Sequence, residues 1–300
     1  MRSTAAGVVV LLVFSVAGAL RPADGASAAS PMVLQNVGFQ TPESVLYDPV
    51  SDVYLVANIN GNPTAADGNG FISRVAPSGR VAALKWIDGT RAGTTLNAPK
   101  GMAIVGDTLY VSDITAVRMF DRRTGRFEGS VEIPGATFVN DLASAPDGSV
   151  YVTDSGLKPD FSPSGTDAVY RIDRGRKLST VAKRTALRNP NGIAVRPSGR
   201  LVVVNFSKPG EVLTLGRNGQ LLDTWKLPAG QLDGVVILPD GALLVSSWEA
   251  SVVYRVERGG VARVVVRDVP SPADIGYDSR RGRVLIPIFT KHQVVIQPLP

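Results

Sequence analysis

The chain has 300 residues, 44% of them hydrophobic, with no cysteine and a formal charge of +6. That length suffices for a large core in one all-β domain, and the lack of cysteine excludes disulfides, thiolate nucleophiles and zinc–thiolate sites. The basic residues are scattered at turns between apolar runs, as in RRTGR (122–126) and RRGR (280–283), with no aromatic residues interleaved, so no nucleic-acid partner is expected.

In chain order, the first feature is a leader. Arg2 precedes an apolar run, and the small-residue stretch ADGASAAS follows. This is the layout of a secretory signal peptide. The apolar run is roughly 15 residues, short of the ~20 that span a bilayer. Residues 1–30 are therefore expected to be removed, with a cut after Ala26-Ser27-Ala28, rather than kept as an anchor. A secreted or periplasmic, monomeric chain with no membrane span after leader removal is the resulting expectation.

Beyond the leader, short β-branched runs are separated by Gly, Pro, Asp and Asn, which predicts strands throughout. Six segments stack as a repeat: TPESVLYDPVSDVYLVAN from Thr41, APKGMAIVGDTLYVSD from Ala98 and FVNDLASAPDGSVYVTD from Phe138; then NPNGIAVRPSGRLVVVN from Asn189, QLDGVVILPDGALLVSS from Gln231 and SPADIGYDSRRGRVLIPI from Ser271. Each holds a strand, a turn and a second strand. A third strand and a more polar fourth usually follow, such as EVLTLG (211–216) and LLDTWKL (221–227). Four strands per repeat of about 40–50 residues predict a β-propeller. The fold class expected is all-β, one six-bladed β-propeller over residues 31–300. The last repeat runs out after three strands, and PMVLQNV (31–37) can supply the fourth, closing the ring and removing its sheet edges.

The position just before the first strand of each repeat holds Glu43, Lys100, Asn140, Asn191, Asp233 and Ala273. In a propeller the first strands line the central channel, so these residues converge at its mouth. The glycines of Asn191–Gly192 and Asp233–Gly234 are expected to let the backbone bend and approach closely there. Four of the six side chains offer oxygen, and two of those are charged. Hard oxygen donors carrying two negative charges suit Ca²⁺, or another divalent metal, with coordination positions left for water and substrate. Lys100 lies in the same ring and can neutralise Glu43 and Asp233 without any metal. On the sequence, both readings stay open.

The chain resembles the family of senescence marker protein, gluconolactonase and luciferin-regenerating enzyme. The resemblance rests on PES (42–44), VNDLASAPDG (139–148), NPNGIAVRPSG (189–199) and LDGVVILPDG (232–241). It implies a six-bladed propeller in which Glu43, Asn140, Asn191 and Asp233 bind one divalent metal, usually calcium. It also implies hydrolysis of a lactone or related ester, a small-molecule substrate, with Asp233 as general base or nucleophile. No sugar-binding arginine is assigned from the sequence.

A bound Ca²⁺ would polarise the carbonyl, with Lys100 either hydrogen-bonding the developing oxyanion or forming a salt bridge within the ring. Loops joining second to third strands should emerge on the ring's face and wall a pocket. Two are long, 58–71 and 154–168. The equivalent loops elsewhere are expected to bring Phe206, Trp248, Glu249, Phe289, Lys291 and His292 to the rim, with Trp248, Phe289 and His292 as substrate contacts. Asp113 and Asp154, ending second strands, are expected to be structural. A non-catalytic propeller binding a ligand or partner protein at this face is the alternative.

Overall fold

A computed structural model describes Met1 and residues 30–299. The expected signal peptide lies, but for its two end residues, outside the described residues. The described chain forms six four-stranded antiparallel sheets arranged as a ring, a six-bladed propeller with two single-turn 3₁₀ helices as its only helical segments. Among the described residues no helix is long and apolar enough to cross a membrane.

The innermost strands are Pro42–Asp48, Pro99–Val105, Val139–Ser144, Pro190–Val195, Leu232–Ile237 and the shorter Gly276–Asp278. They surround a central channel of about 300 Å³, lined by residues of all six blades. The second strands, such as Val150–Asp154 and Leu201–Asn205, are buried along their whole length. Both of their faces meet neighbouring blades, so their sequences read as continuous apolar runs rather than alternating ones. Outer strands such as Leu221–Lys226 are largely exposed, which accounts for their polar composition.

The core is divided by blade interface into six apolar clusters. One of them packs Tyr110, Val117 and Met119 of the second blade against Leu142, Val152 and Tyr170 of the third. The ring closes as its spacing predicts. Met32–Leu34 pairs antiparallel with Gln293–Pro298 and supplies the fourth strand of the last blade, Met32 opposite Ile296 and Leu34 opposite Val294.

Candidate active site at the channel mouth

The pairing of innermost with second strands is irregular at one recurring place. The register shifts between Pro42 and Ser44, Pro99 and Met102, Val139 and Leu142, Pro190 and Ile193, and Leu232 and Val235. Each irregularity falls on a ring position: Glu43, Lys100, Asn140, Asn191 or Asp233. A bulge kinks a strand and re-aims its side chains. Here it turns one polar side chain into the channel mouth in each of five blades; the sixth, with Ala273 at that position, has no such shift.

The glycine after the ring residue has a different role from the one its sequence suggests. Gly192 and Gly234 do not adopt positive φ. Instead, a Cβ on Gly192 would collide with the Asp233 carbonyl oxygen, and one on Gly234 with the Ile275 amide. Close approach of adjacent innermost strands, rather than a sharp bend, requires glycine there. The same repeat position holds Gly101 in the second blade and Ser44, Asp141 and Asp274 in the other three. These three form a second, deeper polar layer: the Ser44 hydroxyl donates to Asp274 Oδ2 at 2.7 Å.

The bulges leave backbone groups unpaired, and hydroxyls from second strands take them up. Ser112 donates to the Asn140 carbonyl of the next blade. Thr153 donates to the Asn191 carbonyl at 2.6 Å and Ser246 to that of Ala273 at 2.9 Å. Just outside the ring, Asp113 accepts the Ala98 amide at 2.9 Å and Asp154 the Phe138 amide at 2.9 Å. These two aspartates are structural, as expected.

All five polar ring side chains are at least nine-tenths buried: Glu43, Lys100, Asn140, Asn191 and Asp233 are 1–5% exposed. Glu43 Oε2, Asn140 Oδ1, Asn191 Oδ1 and Asp233 Oδ1 each lack a hydrogen-bond partner. The amide of Asn140 is held oxygen-inward because its Nδ2 donates to the Ser155 hydroxyl at 3.0 Å. Among the described residues no three Asp, Glu, His or Cys side chains gather to hold a metal. Any cation here would depend on amide oxygens to complete its shell.

Burial raises Glu43 and Asp233 well above the usual carboxylate range, with the Asp233 charge adding to the shift at Glu43 and Asp274 to that at Asp233. Burial also lowers Lys100 to about 8, although Glu43 and Asp113 pull the other way. Lys100 does not bridge the two carboxylates. Its Nζ donates to the Ala98 carbonyl at 3.1 Å and stands 4.6 Å from the centre of the Phe138 ring.

Above the ring opens a pocket of about 320 Å³ whose floor is Glu43, Lys100, Asn140, Asn191 and Asp233. Its wall comes from the predicted loops: Ile59 and Pro63 from the first, Ser155, Leu157 and Phe161 from the second, and Phe206, Trp248 and Phe289 from the shorter ones. Phe138, Ile59 and Phe161 went unrecognised in the sequence. A signal for Ile59 was present, because it directly follows a second strand, as do Phe206, Trp248 and Phe289. His292 is a correction. It is exposed and outside the lining, and its Nδ1 accepts the Thr41 backbone N–H at 2.8 Å, tying the last blade to the first. Glu249 and Lys291 are likewise exposed and off the wall.

Residues 74–275 match the sequence profile described as the SMP-30/Gluconolactonase/LRE-like region, which is more than half of the chain. The chain belongs to that family. Its structure resembles other propellers of gluconolactonase type. A putative gluconolactonase superposes with a TM-score of 0.70 at 19% identity, covering 92% of this chain and 94% of its own. A gluconolactonase from Xanthomonas campestris gives 0.69 at 21% identity, with 90% and 89% covered. A luciferin-regenerating enzyme gives 0.64 at 12% identity, with 90% and 97% covered. At these identities the likeness establishes the fold. No curated protein matches the chain in sequence. For this member of the SMP-30/gluconolactonase family, Glu43 lies N-terminal to the matched region, while Lys100, Asn140, Asn191 and Asp233 lie within it.

Proposed function

We propose that this chain is an exported, divalent-metal-dependent hydrolase of lactones or related esters, with Ca²⁺ as the ion and Glu43, Asn140, Asn191 and Asp233 as its ligands. One observation carries the reading: four buried side-chain oxygens from four blades are all without partners. Leaving a buried acceptor unpaired costs about 1–3 kcal/mol, and more for a charged one. Four such oxygens in the floor of one pocket are accounted for by a cation. Two carboxylates match its charge, and the hard donors suit Ca²⁺, which takes 6–8 oxygens. The family and the gluconolactonase-type neighbours support lactone hydrolysis as the reaction.

Bound in this ring, the cation would supply a Lewis acid at the substrate carbonyl. Asp233, which lines the pocket floor, accepts the proton of the attacking water as its oxygen bonds to the carbonyl carbon. The ring C–O bond then breaks, and the Lys100 ammonium, also in the floor, gives its proton to the departing alkoxide. The product is a hydroxy acid. With its pKa near 8, Lys100 is a better acid than an ordinary lysine and is still largely charged at neutral pH. The apolar wall keeps bulk water from competing with these contacts.

The test combines elemental analysis of the purified protein with turnover of a lactone and ester panel. About one calcium per chain is expected, with activity abolished by chelator and by Asp233→Ala. Turnover that survives full metal removal would sink the mechanism. Calcium that raises thermal stability without turnover of any ester would favour the non-catalytic propeller instead. N-terminal sequencing of the exported protein checks the cut after Ala28.

A further inference from the structure

We propose that the substrate of this site carries an apolar group of aromatic-ring size beside its carbonyl, and that polyhydroxylated lactones fit it poorly. The inference rests on the hydrolase reading above and names its substrate class. The pocket wall consists of two aromatic groups. On one side Phe206, Trp248 and Phe289 stack in series, with centroid separations of 5.4 and 5.2 Å. Each directly follows the second strand of its blade, in three consecutive blades, so the repeat itself lays down the wall. On the other side Phe138 and Phe161 pair at 6.3 Å. Ile59, Pro63 and Leu157 fill the remainder.

The polar inventory is equally one-sided. Glu43, Asn140, Asn191 and Asp233, with their four free oxygens, are assigned to the cation in the hydrolase reading, and Lys100 to the leaving group. The Ser155 hydroxyl is already engaged, donating to the Pro190 carbonyl at 2.8 Å and accepting from Asn140. Among the described residues no arginine lines the pocket. The Trp248 indole N–H makes no hydrogen bond of ordinary geometry, and it faces the Asp233 carboxylate. A sugar lactone has several hydroxyls, and each one buried without a partner weakens binding roughly tenfold. A flat hydrocarbon ring meets aromatic faces instead, and each such pair favours binding by about 0.5–1.5 kcal/mol beyond its buried area, up to about tenfold.

The experiment uses the full mature chain with calcium present. Turnover of a benzo-fused six-membered lactone (dihydrocoumarin) is compared with that of glucono-δ-lactone. Calorimetry measures binding of the two corresponding lactams, which are not hydrolysed. We expect kcat/KM to favour the benzo-fused lactone by at least about 100-fold, and its lactam to bind at least about tenfold tighter. Trp248→Ala and Phe161→Ala should each shrink that preference about tenfold. Phe161 is 53% exposed, so its removal leaves the core untouched. Equal or better handling of the sugar lactone or lactam overturns the proposal, as does a preference unchanged in both variants, or no binding of either lactam. If neither lactone turns over but the benzo-fused lactam binds selectively through these residues, the hydrolase reading falls and the substrate class stands.

Discussion

Asn191 shows how two residues that ordinarily make a hairpin turn come to lie in the pocket floor at the channel mouth. The bulge aims its amide into the channel, while Gly192 lets the next blade's strand come close enough to place Asp233 beside it. Asn191→Leu keeps the side-chain shape but removes the oxygen. It is expected to weaken calcium binding at least about tenfold, as the loss of one buried ligand contact should, with the melting temperature of the metal-free protein unchanged or raised. Calcium titration of the two proteins checks both. Lys100 gives a second prediction. In the proposed mechanism its proton goes to the leaving alkoxide, and burial lowers its pKa to about 8, so kcat/KM should fall as pH rises through 8. In Lys100→Met that limb should vanish along with most of the rate. A limb that persists near 8 in the variant would assign the titration to another group.

At the scale of the strand, the sequence carried a good deal. The repeat register placed every ring position, and the turn-rich spacing placed the loops that wall the pocket. What it did not carry was the bulge, because one extra residue between paired strands has no composition of its own. The sequence-level account of Gly192 as a bend was therefore only half right. Its φ is ordinary, and the neighbouring strand is what leaves no room for a side chain. His292 was misplaced for a related reason. Its loop does reach the correct face, but the residue lies beyond a short 3₁₀ turn, Phe289–Lys291, and points back at Thr41. The hydroxyls that secure the bulges were legible in hindsight as the penultimate Ser or Thr in VSD, VTD and VSS. Thr153→Val would leave the Asn191 carbonyl without its hydroxyl partner in a buried site. The expected loss is about 1–3 kcal/mol in chemical denaturation, accompanied by weaker calcium binding.

At the scale of the whole ring, six wedges share one narrow axis, and the axis is not neutral. Below the proposed metal ligands lie Asp141 and Asp274, both buried, with Asp274 raised to about 7 chiefly by loss of water. In the unfolded chain that carboxyl titrates near 3.8. Between these two values the folded protein binds more protons than the unfolded one, so this group's contribution to stability falls as pH rises from about 4 to about 7. The penalty is complete above that window. Asp274→Asn keeps an acceptor for Ser44 and removes the charge, so it should stabilise the metal-free protein by about 1 kcal/mol or more at pH 8, roughly 2–4 °C. At pH 4 it should do little. Thermal melts at the two pH values decide the matter. Asp274 follows the ring position Ala273 in sequence, but that adjacency does not reveal this role, because the carboxyl pair arises from the third and sixth repeats.

The strand that completes the last blade has one more implication. Met32–Leu34 precedes every other described strand in the chain, and its partner, Gln293–Pro298, follows them all. A growing polypeptide can stack its early wedges one upon another, yet the circle stays open until Gln293–Pro298 is in place. Loss of either strand would leave both flanks of the gap ready to pair with strangers.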